Sequence, residues 1–200
     1  MKITKLSVQV KNTDRVNVFI DNKYTLSLTL NQILEQKLKV GLELDQSDVN
    51  ILQKLSQDGK VRARALEWVL LRPHSQKELK QYLQKKQIQP ELIDSICNEF
   101  VSKKYINDKA FAYWWADNRS RKLKSDRFIK LELIQKGVDT QIVSQVIDDD
   151  NSQNSRLKEL IKQKKRQTRY QDLLKLKQYL LGKGYSYSDI ADALAEDNID

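Results

Sequence analysis

The chain has 200 residues, of which 40% are hydrophobic and 32% are charged, so it can form an apolar core and still keep a large solvated surface. Only five glycines and two prolines are present, which favours helices and argues against a large α/β catalytic domain with glycine-rich loops. The net charge of +9 attracts polyanions, nucleic acid above all, although a merely well-solvated basic protein would carry the same charge.

The number of cysteines and the absence of long apolar runs indicate the cellular compartment in which the protein acts. Cys97 is the only cysteine, so no disulfide can form within the chain, and this suits a reducing environment. Residues 1–5 have no apolar signal core, and no run of about 18 apolar residues could cross a membrane. These features predict a cytoplasmic protein.

Residues 3–28 show the period-two alternation that is typical of strands. Leu6, Val8 and Val10 alternate with polar residues, polar turns follow at residues 12–15 and 21–23, and apolar residues alternate again after each turn. This predicts a small antiparallel β-meander, whose apolar face needs a helix to cover it. Thr29 is placed to cap a short helix over about residues 30–38, which a glycine at position 41 would end.

From about residue 46 the apolar residues recur at helical spacing, and one layout of helices repeats. Ser75 begins a Ser-x-x-Glu capping box, in which Glu78 would reach back to the serine amide. Ser125 stands 50 residues later, and Gly137 and Gly184, which are 47 residues apart, each occupy a position where a helix must end in the left-handed conformation. The repeat predicts a mainly α fold of tandem three-helix modules in an elongated, curved array.

The predicted organisation has four parts. Residues 1–45 form the β-meander with its short helix. Three three-helix modules follow, over residues 46–106, 107–151 and 152–200, with Leu83, Leu133 and Leu180 at equivalent places.

No arrangement of catalytic or metal-binding residues is evident. His74, the only histidine, lies between a proline and a capping serine, which predicts an exposed turn residue, whereas Cys97 follows a helical apolar pattern, which predicts a buried thiol. The Gly-Lys-Gly sequence at 182–184 lacks the spacing of a phosphate-binding loop. The three aspartates at 148–150 lack the spaced ligands of a calcium loop and indicate a solvated linker. We therefore expect no catalytic residue, no metal and no cofactor.

Basic residues crowd two segments, one in the middle of the second module and one on the first helix of the third. Like charges at i and i+4 destabilise a helix by a few tenths of a kcal/mol each, and the acids collect elsewhere, at 148–150 and 196–197. The clustering predicts binding to DNA phosphate or to an acidic protein surface, with a solvated face and its counterions as the alternative. The residues predicted to bind the partner are Arg119, Arg121, Lys122, Lys124, Arg127, Lys162, Lys164, Lys165, Arg166 and Arg169.

Aromatic residues also cluster in the second module. Phe111, Trp114 and Trp115 lie on one helical face, which predicts core packing. Tyr113 points elsewhere, and stacking on a base would require such a ring to be exposed.

These segments resemble the RecX family of recombination regulators. Residues 72–79, Arg-Pro-His-Ser-Gln-Lys-Glu-Leu, are similar to the family signature Arg-Pro-x-Ser-x-x-Glu-Leu, and residues 105–108, Tyr-Ile-Asn-Asp, together with Phe111 and Trp115, resemble a second family block. The two lysine-glycine turns, at Gly137 and Gly184, fit the later modules. The resemblance covers about residues 60–195 well and the N-terminus loosely. It departs from the family at Gln87, where a glycine often stands.

The resemblance implies a regulator of homologous recombination and DNA repair that binds the RecA recombinase. Such a protein lodges along the groove of the RecA filament on single-stranded DNA and blocks extension, ATP hydrolysis and strand exchange. It would be monomeric and would have no active site. The motif residues Arg72, Ser75, Glu78 and Leu79 would then be architectural. The alternative is a direct DNA-binding protein, since three-helix modules resemble helix-turn-helix motifs in outline.

Overall fold

The structure is a computed structural model that describes residues 1–10 and 12–196. The chain divides into two compact units, Met1–Trp68 and Val69–Asp200. The described residues are mainly helical and begin with a small antiparallel sheet, so the predicted class, mainly α with an N-terminal β-meander, is confirmed. Residues 197–200, which include Asp197 of the predicted C-terminal acidic pair and the end of the predicted third module, lie outside the described residues.

The first unit contains the predicted meander. Its strands β1 (Ile3–Val8), β2 (Arg15–Ile20) and β3 (Lys23–Thr29) pair antiparallel in the order β1-β2-β3. Asp21 and Asn22 connect β2 to β3 with φ values of 45° and 64°. Positive φ at both central residues is what a tight hairpin turn requires, and Asp and Asn tolerate it better than most residues.

Two register shifts change which side chains face the core. A shift early in β1 places Ile3 on the buried face beside Leu6, although the two are three positions apart, because a bulge inserts one extra residue. Val8 ends β1, Val10 follows the strand, and both are exposed. A second shift, between β2 and β3, inserts Thr25 into β3 and leaves Tyr24 exposed as well. The predicted strict alternation is therefore wrong at these positions.

Thr29 caps helix α1 (Leu30–Glu35) as predicted. The amide of Gln32 donates to Thr29 Oγ1 at 3.2 Å, and the Gln32 side chain accepts from the Thr29 amide at 2.9 Å. The helix ends earlier than predicted, because Lys37 already adopts a left-handed φ of 49°. The glycine at position 41, with a φ of 91°, lies beyond this end.

Helix α2 (Gln46–Val69) covers the sheet with its first turns. Val49 and Leu52 belong to the same buried cluster as Leu26 and Leu28 of β3. Most of α2 falls in the first unit, so the boundary of the first three-helix module at residue 46 stays a prediction. The other module boundaries stay predictions too.

The second unit contains the remaining described helices. These are α3 (Gln76–Lys85), α4 (Pro90–Ser102), α5 (Asp108–Ser120), α6 (Asp126–Gln135), α7 (Thr140–Asp148), α8 (Gln153–Lys165), α9 (Leu173–Gly182) and α10 (Tyr187–Glu196), with a 3-10 turn at Thr168–Tyr170. Helices α5–α7, which we call the second module, surround a core that contains Phe111 and Leu133. Helices α8–α10, which we call the third module, surround a separate core that contains Leu157 and Leu180.

One turn geometry recurs between the last two helices of each module. Gly137 and Gly184 have φ values of 81° and 92°, which confirms the predicted left-handed helix ends. Gln87, the counterpart in the α3–α4 turn, has a φ of 57°. The turn therefore keeps its shape in the first module at the energetic cost of a side chain in the left-handed region.

Candidate binding surface

The start of α3 meets the α6–α7 turn at a polar contact. Ser75 Oγ accepts from the amide of Glu78 at 3.1 Å and donates to the carbonyl of Lys136 at 2.8 Å. A Cβ on Gly137 would lie 2.7 Å from the Lys77 side chain, so only glycine allows this approach. We call this contact, of Ser75, Lys77 and Glu78 against Lys136 and Gly137, the first seam.

Glu78 is the charged centre of the first seam. Its carboxylate, 9% exposed, binds Lys136 at 2.5 Å, Arg72 at 3.0 Å and Nδ1 of His74 at 3.2 Å. Burial alone would raise the pKa of Glu78, but hydrogen bonds from Lys136 and Arg72 outweigh it and hold the pKa below its usual value. The prediction that Glu78 reaches back to the amide of Ser75 is wrong, because the carboxylate binds these three groups instead.

The structure corrects one of the two predictions made for possible catalytic side chains. His74 is only 4% exposed, so the prediction of an exposed turn residue is wrong. Its ring folds against the first turn of α3, where Glu78 lies at the i+4 position. Cys97 is buried, as predicted, and burial raises the pKa of its thiol.

The start of α6 meets the α9–α10 turn in the same way. Ser125 Oγ caps α6 and donates to the carbonyl of Lys183 at 3.2 Å. A Cβ on Gly184 would lie 2.5 Å from Ser125 Oγ. The amide of Asp126 donates to Oε1 of Gln153 at 2.9 Å. We call this contact, of Ser125 and Asp126 against Gln153, Lys183 and Gly184, the second seam.

Arg156 joins the second seam from inside. Its guanidinium group, 6% exposed, binds the carboxylates of Asp150 at 2.6 Å and of Asp126, and it donates to the carbonyl of Lys124 at 3.2 Å. Arg156 is therefore not part of a free basic surface. The interpretation of Asp150 as part of a solvated linker is wrong, because a buried arginine needs such partners.

Two of the basic residues predicted in the second module are already paired. Arg119 binds Glu132 at 2.5 Å, with its guanidinium 4.2 Å from the centroid of the Trp115 ring. Arg121 binds Asp117 at 2.9 Å, and its side chain is 78% exposed. The other two at the surface, Lys122 and Arg127, are exposed.

Basic residues of the third module lie on aromatic rings. The ammonium groups of Lys164 and Lys183 lie 4.9 and 5.1 Å from the centroid of Tyr179, and Arg169 lies 5.7 Å from that of Tyr170. Sequence reasoning missed Lys183, because the lysine-glycine turn was interpreted only as a helix end. The other predicted residues are exposed or half-buried: Lys162, Lys165 and Arg166.

Lys124 brings the two predicted basic segments together. Its ammonium group lies 3.9 Å from the centroid of the Phe128 ring. Burial and the charges of Lys183 and Arg119 lower the pKa of Lys124, so the charge of Lys183 acts on it across the second seam. We call Lys124, Lys164 and Lys183 the seam cations.

The aromatic cluster of α5 divides as predicted. Phe111 is buried, and Trp114 and Trp115 pack against the same core. Tyr113 is exposed and donates its hydroxyl to Asp149, a hydrogen bond that raises the pKa of the phenol. Base stacking by Tyr113 stays a prediction.

Residues 1–10 and 12–196 contain no group of three or more His, Cys, Asp or Glu side chains that could hold a metal ion. Over the same residues, no helix is long and apolar enough to cross a membrane.

Known proteins share this organisation. Residues 1–45 match the model of the regulatory protein RecX N-terminal domain, and residues 107–147 match that of the second three-helix domain of RecX. The regulatory protein RecX of Listeria welshimeri is 34% identical over 200 residues, covering 96% of this chain and 74% of that protein. The RecX protein of Bacillus pumilus is 33% identical and covers 97% of this chain and 76% of its own. The chain belongs to the RecX family.

Solved RecX structures have the same fold. A crystal structure of regulatory protein RecX superposes with a TM-score of 0.77 at 23% identity, covering 96% of this chain and 98% of the other. RecX from Lactobacillus salivarius gives a TM-score of 0.61 at 25% identity, covering 72% of this chain and 97% of the other.

In this RecX chain the signature residues hold the first seam together. Ser75 and Leu79 are fully buried, and Arg72 binds Glu78 while its guanidinium lies 5.3 Å from the centroid of Trp114. These contacts lie within the protein, which fits the architectural role that the sequence predicted for the motif.

Proposed function

We propose that this chain binds the RecA recombinase filament on single-stranded DNA and restrains its extension, ATP hydrolysis and strand exchange. Membership of the RecX regulatory family, at 34% identity over nearly the whole chain, carries the proposal. As part of it, the chain acts as a cytoplasmic monomer and performs no chemistry of its own.

The basic surface supports this role. Four of the predicted residues are exposed: Lys122, Arg127, Lys162 and Arg166. Two of the seam cations, Lys124 and Lys164, belong to the same two basic segments. A filament that contains DNA has a strongly negative potential, so these charges would accelerate the encounter and orient the chain. Arg119 and Arg121 already have carboxylate partners, so we assign them a smaller share of the binding.

The test is inhibition of strand exchange by the cognate RecA. The wild-type chain should reduce strand exchange and filament ATP hydrolysis. Lys122→Glu combined with Arg127→Glu should weaken inhibition more at low salt than at high salt, because exposed charges are screened. An inhibition constant that this double reversal leaves unchanged at low salt would remove both residues from the interface.

The alternative function is direct DNA binding by the modules, and the cations on aromatic rings in the third module favour it. The two functions differ in their dependence on the recombinase. Tight binding to naked DNA, without any change in RecA ATP hydrolysis or strand exchange, would support the alternative and contradict the filament proposal.

A further inference from the structure

Two of the seam cations flank the second seam, one on each module. Lys124 precedes the capping Ser125 of the second module, and Lys183 is the residue whose carbonyl accepts from that serine at 3.2 Å. The third, Lys164, shares the ring of Tyr179 with Lys183. When the seam is closed, the positive charges of two modules are therefore held together.

The seam cations have no carboxylate in direct contact among residues 1–10 and 12–196. Among the described residues, no ion pair joins any seam cation to a carboxylate, and their ammonium groups lie on aromatic rings instead. Glu132 is the acid whose charge acts on Lys124, but it already binds Arg119 at 2.5 Å. Closing the second seam thus brings like charges together, which costs free energy unless an anion joins them.

At the first seam the lysine of the turn has a carboxylate partner, and the turn lysine of the second seam lacks one among the described residues. Lys136, the turn lysine of the first seam, binds the buried carboxylate of Glu78. At the second seam the position equivalent to Glu78 is Phe128, and its ring accepts the Lys124 ammonium at 3.9 Å. A ring attracts a cation but carries no net charge, so Lys124 is not neutralised in the way that Lys136 is.

We propose that the seam cations form one composite site for the phosphodiester backbone of single-stranded nucleic acid, and that the bound strand locks the second seam closed. A polyanion that spans both modules turns their repulsion into attraction and releases its own counterions. The rings of Tyr170 and Tyr179 lie beside the site, packed against the core of the third module, and position the ammonium groups of Lys164 and Lys183 there. The choice of nucleic acid rests on the proposed function, which places the chain on a filament that contains DNA.

The amide of Asp126 reports directly on the second seam, because it donates across the seam to Gln153 Oε1. The amide of Gln76 donates to Asp108 at 2.8 Å beside the first seam and serves as the matched internal control. Hydrogen exchange of both amides, followed by NMR, measures the opening of each seam separately.

An oligothymidylate at about ten times its dissociation constant should slow exchange of the Asp126 amide about tenfold, if the open seam does not bind it. Exchange of the Gln76 amide should not change. A methylphosphonate oligomer of the same sequence, which has the bases without the charges, should have no effect. Equal protection by the uncharged oligomer, or equal protection of both amides, would overturn the proposal.

The double substitution Lys124→Gln with Lys183→Gln tests the residues and leaves the carbonyls of both seam contacts in place. It should abolish the protection by oligothymidylate. It should also make the slope of log affinity against log salt shallower by about 1.4, since each phosphate contact on a single strand contributes about 0.7. Lys85→Gln with Lys109→Gln removes the same charge elsewhere in the second unit and should change neither result.

Two outcomes separate this inference from the proposed function. Protection of Asp126 by DNA, in a chain that does not affect RecA, would leave the composite site standing and refute the filament role. Inhibition of RecA without protection of the Asp126 amide would support the filament role and refute the composite site. Equal protection by polyglutamate would show that the site is not specific for nucleic acid and would overturn its assignment.

Discussion

The two seams of this RecX chain have the same geometry, but they differ in how the lysine of the turn is paired. At both, a buried capping serine donates to the carbonyl of a lysine, and a left-handed glycine follows that lysine. The first seam then neutralises its lysine with Glu78, whereas the second buries Arg156 between two aspartates and leaves its lysines at the surface. The repeat therefore specifies how modules dock, and residues outside the repeated contact decide what each junction can bind.

The largest expected effect is at Arg156. Arg156→Met should lower the free energy of unfolding of the second unit by about 3 kcal/mol, because Asp126 and Asp150 lose their buried partner. Lys158→Met, on the same helix, removes an exposed ion pair with Glu196 and should cost less than about 1 kcal/mol. Chemical denaturation of both variants measures the difference, and equal losses would show that the second seam does not depend on the buried arginine.

A smaller loss is expected from a methyl group at the second seam. Gly184→Ala should cost about 2 kcal/mol, because the new Cβ would lie 2.5 Å from Ser125 Oγ and the residue has a left-handed φ. Gly182→Ala places a Cβ in open space at the end of α9 and should stabilise the chain by about 0.5 kcal/mol. Thermal unfolding would contradict this account if both changes shifted the midpoint in the same direction.

Glu78 should make the first seam sensitive to acid. Its folded pKa lies below the usual value of 4.5 for a glutamate, so its contribution is fully present above that value and is lost as the pH falls toward the folded pKa. Glu78→Gln should cost about 1.5 kcal/mol at neutral pH, less than a fully buried pair because Arg72 and Lys136 are each about one-third exposed. The difference between variant and wild type should vanish in acid, and a difference independent of pH would contradict the assignment.

The smallest expected effects are at the two capping serines. Ser75→Ala and Ser125→Ala should each cost about 1 kcal/mol, the usual loss for an N-cap. Ser75 should cost more, because its bond across the seam is 2.8 Å long and that of Ser125 is 3.2 Å. Denaturant titrations that rank the serines in the opposite order would show that bond length does not set the strength of the seams.

Sequence reasoning succeeded where the signal is local. The cap at Thr29, the serine caps of α3 and α6 and the left-handed glycines depend on residues within one helical turn, so their pattern is visible in the chain. The burial of His74 and the pairing of Arg156 with Asp126 depend on groups that folding brings together, and residue spacing does not encode those distances. The bulges in β1 and β3 were missed for a related reason, since an alternating pattern carries no mark of an inserted residue.

The candidate surface was predicted in part. Charge counting found Lys124 and Lys164, but it could not separate Arg119, which binds Glu132, from Lys122, which is exposed. Lys183 was not predicted as part of the surface, because a single lysine beside a glycine is typical of a helix C-terminus. Only the closed second seam, with Tyr179 between Lys164 and Lys183, identifies it as part of a charged cluster.

The separate cores of the second and third modules bear on how the chain reaches its native state. Each core is assembled from residues close in sequence, and the second seam adds a few polar bonds between the two modules. Chains with such local contacts fold quickly, and repeat arrays can nucleate in one module and propagate to the next. We therefore expect the second module to become ordered while the third is still being synthesised. The second seam would then form last, when the turn at Gly184 docks against Ser125.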